Sequence, residues 1–220
     1  MRRNYIEGEN IIMSRERLEW IHYESWEAEK KVLFIGDSIV WGARSYIEKM
    51  LPEGVGSTVL ATSHGVNEEQ FVRSVATLAS LNEPFYEAVY FNNGLHPHGQ
   101  TAEEYAENYE RVVIALIKAI PAKKWILGLS TPISNKQTEI WDNSAPITEK
   151  EKISLKERNS LVLEYNEKVK EIAQRLGLPY YDAYGLVDGC DDLKTDPYHY
   201  NSEGRELIAK GMCEAVRIEL

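Results

Sequence analysis

The sequence predicts an α/β protein, a three-layer α/β/α sandwich around a parallel sheet of about five strands. Two observations predict it: short apolar runs of strand length recur along the chain, and stretches with helical spacing lie between them. Parallel neighbours need a crossover over the face of the sheet, and helices supply it. Alternation of the two patterns therefore implies a sheet covered on both sides.

Lys31–Ile35 (KVLFI), Thr58–Ala61 (TVLA), Ala88–Phe91 (AVYF), Trp125–Leu129 (WILGL) and Pro179–Asp182 (PYYD) are rich in branched or aromatic residues. Gly, Pro or polar residues bound them, the pattern of buried strands. From Thr101, the residues Tyr105, Tyr109, Val112, Leu116 and Ile120 recur at three- and four-residue steps, and Thr101 with Glu104 has the form of a capping box. After Ser154 the same spacing runs through Val162, Tyr165, Val169, Ile172 and Leu176 to a stop at Gly177. A last helix presents Leu207, Ile208, Met212 and Val216. These stripes read as packing faces. The whole is a flavodoxin-like arrangement, which binds ligands beyond the carboxyl ends of its strands.

Two stretches stand outside the alternation. Residues 1–30 carry aromatic side chains among many charges and are expected to form a short helix and an arm packed on a single domain spanning 31–220. Residues 131–152, with Pro132, Trp141 and Pro146, are longer than an ordinary connection and make a candidate substrate lid.

Composition narrows the function. The 220 residues hold 25 Lys and Arg against 35 Asp and Glu, a net charge of −10, which excludes a surface built to displace phosphate counterions from nucleic acid. No apolar run reaches the ~20 residues of a membrane span. Asn4–Asn10 (NYIEGEN), after Arg2 and Arg3, supplies no apolar signal-peptide centre, so the expected location is the cytoplasm. Cys190 and Cys213 have no Cys or His neighbours at metal-ligand spacing; they read as reduced thiols, and no metal or cofactor is expected.

The residues that follow the strands carry the chemistry. Gly36-Asp37-Ser38 ends the first strand, and a serine at a strand-to-helix turn stands where a ligand sits, near backbone N–H groups able to bind negative charge. The same residues also suit a helix cap. Near the C-terminus, Asp196-Pro197-Tyr198-His199 precedes the last helix. A serine hydroxyl needs a base titrating near neutrality, and a carboxylate to orient that base; Asp196 three positions before His199 lets both side chains converge on Ser38.

Taken together, these blocks resemble the GDSL, or SGNH, hydrolase family, from Lys31 to the last helix. The resemblance implies a serine esterase or acylhydrolase with Ser38 as nucleophile, His199 as base and Asp196 as its partner. It further implies an oxyanion hole built from the N–H groups of Ser38 and Gly65, the latter in Ser63-His64-Gly65 after the second strand, and a side chain after the third. The family's Gly-x-Asn-Asp is here Gly94-Leu95-His96-Pro97, which puts His96 at the asparagine's place, with Asn93 as a second candidate; Asn92 and Asn93 also suit the tying of a turn. The expected partner is a small-molecule ester, and Trp41 and Trp141 suggest an acetylated carbohydrate, because flat aromatic faces stack on sugar rings. Lipase-like or thioesterase activity, and a non-catalytic carbohydrate-binding protein on the same fold, are the alternatives. A flavin-binding protein would need a phosphate-cradling loop after the first strand, which is missing.

Overall fold

The computed structural model describes residues 5–6, 9–13, 18–24, 27–80, 85–96, 99–137 and 147–217, with side chains from residue 27 onward. Along the chain run β1 (Tyr5–Ile6), β2 (Glu9–Met13), β3 (Leu18–Glu24), β4 (Lys30–Gly36), α1 (Ser38–Met50), β5 (Val55–Thr62), α2 (Gln70–Ser80) and β6 (Ala88–Phe91). They are followed by α3 (Ala102–Ala119), β7 (Trp125–Gly128), α4 (Glu149–Leu176), β8 (Tyr180–Tyr181), α5 (Ala183–Val187), a 3₁₀ turn at Asp191–Leu193 and α6 (Ser202–Ala215).

The five expected strands are the parallel part of the sheet, in the order β5-β4-β6-β7-β8. Numbered by appearance this is 2-1-3-4-5, the doubly wound order whose direction of winding reverses between the first and third strands. In sheets of this order the loops after the two strands at that point diverge and leave a crevice between them.

Alternation along each strand divides the interior into two layers. Leu33 and Ile35 of β4 join Leu60, Val89, Phe91 and Leu127 under α2, α3 and α4. Val32 and Phe34 face the other way, with Val59, Tyr90 and Ile126, against Val40, Ala43 and Ile47 of α1 and Ile208, Ala209 and Met212 of α6. Gly36 lets α1 turn back tightly onto β4: a methyl group there would overlap the Val40 side chain.

The helix ends follow local chemistry. Thr101 and Glu104 make the expected reciprocal capping box, and Gly177 closes α4 in the left-handed conformation at φ 66°. α4 begins earlier than its apolar stripe, at a second capping box formed by Thr148 and Glu151.

The N-terminal residues differ from expectation. Their described part forms strands, not a helix: β3 runs antiparallel to β5, from Glu19 opposite Thr62 to Glu24 opposite Ser57, and β2 and β1 add beyond it. The sheet thereby becomes eight-stranded and mixed. The reason lies in LEWIHYE, whose backbone finds a partner in the open side of β5, a pairing that charge-interrupted alternation disguises.

The start of the stretch read as a lid also differs, while residues 138–146 lie outside the described residues. Thr131–Ser134 are buried, and Ile133 N–H donates to Asn159 Oδ1 and Ser134 N–H to the Pro197 carbonyl. Backbone pinned in this way is scaffold. Trp141 and Pro146 lie outside the described residues.

Candidate active site

Ser38 is the first residue of α1, and the Asp37 carboxylate caps that helix by accepting from Ile39 N–H. Capping thus falls to Asp37, which leaves the Ser38 hydroxyl for other work. The Ser38 N–H belongs to the first-turn amides that have no acceptor within their own helix. Its Oγ lies 2.9 Å from His199 Nε2 across 161 residues of sequence.

His199 sits in the loop before α6. Its Nδ1 is 2.7 Å from Asp196 Oδ2, while Asp196 Oδ1 accepts from the N–H groups of Tyr198 (2.7 Å) and His199 (2.8 Å). The three-residue spacing matters because one carboxylate then closes a small loop on itself and still reaches the imidazole. Burial opposes ionisation of Asp196, but the hydrogen bonds from the His199 ring and the two backbone amides outweigh it and bring the carboxyl down to about 2. The side chains of His199 and Asp196 are 43% and 36% exposed, so the dyad opens to solvent.

Beneath this loop lies a residue that the sequence reading did not single out. Lys194 is 1% exposed; its Nζ donates to the carbonyls of Pro132 at 2.7 Å and Tyr198 at 3.3 Å and stands 3.9 Å from the centre of the Tyr200 ring. Burial lowers the Lys194 ammonium to about 7, with Asp196 and Asp191 partly offsetting the shift. Thr195 N–H donates to the His199 carbonyl, so the loop is fastened at both ends. A lysine among polar loop residues carries no sequence signal of burial, because lysine is almost always solvated.

The residues expected across the crevice are arranged less simply. Asn92 Nδ2 donates to the Gly128 carbonyl and to Ser130 Oγ, and Asn93 Nδ2 donates to the His64 carbonyl at 2.9 Å. Asn92 thereby ties the end of β6 to that of its neighbour β7, and Asn93 ties it across β4 to the loop after β5. Asn93 is fully buried, and its Oδ1 has no hydrogen-bond partner. His96 is half-buried, with its backbone against Gly65: a methyl group on Gly65 would come within 3.1 Å of the His96 carbonyl oxygen. The Gly65 N–H itself donates to Glu68 Oε1 at 2.8 Å, and Glu68 Oε2 is 2.8 Å from His64 Nδ1. Glu68 is the second residue missed from sequence; three positions beyond a loop glycine it looks like any solvated acid.

Trp41 lines a cavity beside Ser38 and His199, with Arg44 and Arg205. Cys190 and Cys213 are free thiols. Among the described residues no cluster of three or more His, Cys, Asp or Glu has the arrangement of a metal site, and no helix is long and apolar enough to cross a membrane.

No protein-family model and no curated protein sequence matches the chain. Solved structures do. An acetylxylan esterase from Geobacillus stearothermophilus superposes with a TM-score of 0.58 at 15% identity, over 87% of this chain and 96% of that one. A member of the lipolytic G-D-S-L family from Veillonella parvula gives 0.59 at 16% identity, over 84% and 97%. The aryl esterase of M. smegmatis gives 0.66 at 14% identity, over 85% and 98%. The chain therefore has the α/β/α fold of these hydrolases, and at such identities the likeness is one of fold.

Proposed function

We propose that the protein is a serine esterase acting on small acyl esters, with Ser38 as nucleophile, His199 as general base and acid, and Asp196 as the carboxylate that orients it. One observation carries the reading: an unbroken hydrogen-bonded line from Ser38 Oγ through both ring nitrogens of His199 to Asp196, at the carboxyl ends of the parallel strands. A serine, an imidazole and a carboxylate in that order are what an acyl-transfer relay requires.

Ser38 Oγ attacks the ester carbonyl while His199 Nε2 takes the hydroxyl proton. The new O–C bond sends the carbonyl electron pair onto oxygen, and Asp196 stabilises the imidazolium. Collapse breaks the bond to the alcohol, which leaves with the proton from His199. Water then repeats the sequence on the acyl-enzyme and frees the acid. The oxyanion is held by the Ser38 N–H and the His96 side chain, joined by the Gly65 N–H once Glu68 gives it up. Asn93 serves this hole indirectly, by holding the His64 carbonyl and with it the Gly65 loop.

Acetyl groups on carbohydrates are the favoured substrates. Trp41 beside Ser38 supports this reading, as does the acetylxylan esterase among the structures of the same fold. Lipase-like and thioesterase activities are separated from it by hydrolysis of acetylated sugars, aryl esters of rising chain length and acyl thioesters. A second reading, a non-catalytic carbohydrate-binding protein, draws on the Gly65 N–H taken up by Glu68. The deciding experiment is Ser38→Ala: hydrolysis of an aryl acetate and labelling by a fluorophosphonate should both vanish, a loss of about 10⁴-fold or more in turnover. Full activity in that variant refutes the esterase reading, and sugar binding by a wild-type protein that takes no label establishes the binder.

A further inference from the structure

The cavity beside Ser38 has an electrical character opposite to that of the chain. It encloses about 330 Å³ between α1 and α6, and of the described residues that line it Arg44 and Arg205 are cations, His199 becomes one on protonation, and none is an aspartate or glutamate. The chain as a whole carries a net charge of −10. A basic cleft in an acidic protein concentrates field on whatever enters it.

The Arg44 guanidinium is held in place, and Arg205 lies alongside. Arg44 donates from Nη1 to the Trp41 carbonyl at 3.0 Å and lies 4.1 Å from the centre of the Trp41 indole. Arg205 runs along α1 where Gly42 leaves room for it, its Nε 3.4 Å from the point a methyl group on that glycine would occupy. Among the described residues no carboxylate forms an ion pair with Arg205. Arginine presents a planar fork of donors that fits carboxylate and phosphate oxygens two at a time, and it is the residue used where such groups are recognised. The size of the space decides which part of the ester enters. An acetyl group fills a small fraction of a cavity that matches the lower end of whole-ligand pockets. The cavity therefore receives the alcohol portion.

We propose that the alcohol portion of the substrate carries an anionic group, a carboxylate or a phosphate, and that Arg44 and Arg205 bind it over the Trp41 face. This rests on the esterase reading above and narrows it to esters of acidic alcohols, such as an acetylated sugar acid or sugar phosphate. Arg205 is then a specificity-determining residue: the scissile bond is addressed by Ser38, and the charge some distance away by the arginines.

The test compares 4-acetoxybenzoate and 4-acetoxyphenyl phosphate with the neutral 4-acetoxybenzamide. At low salt at least one anionic ester should exceed the benzamide about tenfold in kcat/KM, and raised ionic strength should shrink the ratio. Arg205→Gln should lower the anionic-to-neutral ratio about tenfold, and Arg205→Lys should restore part of it; a structural defect alone would slow both esters and leave the ratio in place. The favoured arm identifies the group as carboxylate or phosphate. A wild-type ratio at or below one, or a ratio that Arg205→Gln does not move, overturns the proposal while hydrolysis of the benzamide leaves the esterase reading standing. Should the protein hydrolyse nothing and take no fluorophosphonate, that reading falls. Calorimetric binding of 4-hydroxybenzoate and phenyl phosphate then decides the pocket alone: binding that Arg205→Gln abolishes supports it, and no binding refutes it.

Discussion

The two walls of the crevice are built on different plans. On one wall Ser38, His199 and Asp196 point at one another in sequence, and the Asp196–His199 part is closed within four residues. On the other wall the polar groups satisfy their neighbours: the Gly65 N–H is met by Glu68, and the Asn93 amide by the His64 carbonyl. The lesson is that, under the proposed mechanism, the Ser38–His199–Asp196 line is already assembled in the protein alone, whereas the other side is a woven pair of loops from β5 and β6 whose Gly65 N–H would have to leave Glu68 to meet a substrate.

The sharpest way to break this contrast is Asp196→Asn, which keeps the shape of the relay and removes its charge. Turnover of an aryl acetate should fall about 10⁴-fold, because the amide no longer holds the imidazole in the productive tautomer. The same variant loses an acid-range contribution to stability. The carboxyl stands at about 2 in the fold against 3.8 in the unfolded chain, so its stabilisation is complete above the unfolded value and fades as pH falls through the folded one. Denaturant titrations at pH 6 and pH 2.5 should differ less for the variant than for the native protein.

A smaller effect is expected from the woven side. Asn93→Ala releases the His64 carbonyl and with it the Gly65 loop, and turnover should fall about 10²-fold, the scale of one misplaced oxyanion donor. A circular-dichroism melt separates this from unfolding: the transition is retained, with a stability loss of about 1–3 kcal/mol for a buried polar group left unpaired. Turnover unchanged in a folded variant would mean that the two walls do not communicate.

The smallest and most pH-dependent effect belongs to Lys194→Met. The ammonium titrates near 7 in the fold and at 10.5 unfolded, so both states hold its proton below pH 7, and only the unfolded chain holds it between 7 and 10.5. Native stability should therefore gain with pH across that window, and thermal unfolding measured between pH 7 and 10 should lack this gain in the variant. A variant with an identical pH slope would show that Lys194 is not the titrating group.

The meeting of Ser38, His199 and Asp196 could be anticipated from sequence because its parts are local: a serine after a strand, and an Asp and a His three positions apart before an amphipathic helix. The Thr101–Glu104 box and the Gly177 stop were legible for the same reason. Features set by distant contacts were not. Lys194 is buried by Pro132, 62 positions away, and by its own loop, and Glu68 matters only because Gly65 turns its N–H towards it. The Thr148–Glu151 box went unread because Pro132 and Pro146 gave its surroundings the composition of a loop. The strand β3 went unread because its partner β5 lies more than thirty residues further on.

That N-terminal pairing bears on how the protein behaves in solution. β5 is buried along its whole length, and six of its residues are covered on one side only by the antiparallel strand β3. Were that strand lost or displaced, a flat row of unsatisfied amides and carbonyls on a largely apolar ribbon would face the solvent, the template on which chains stack into insoluble assemblies. Seen in this way, β3 acts as a sealing strip along the open side of β5, guarding it against edge-to-edge association.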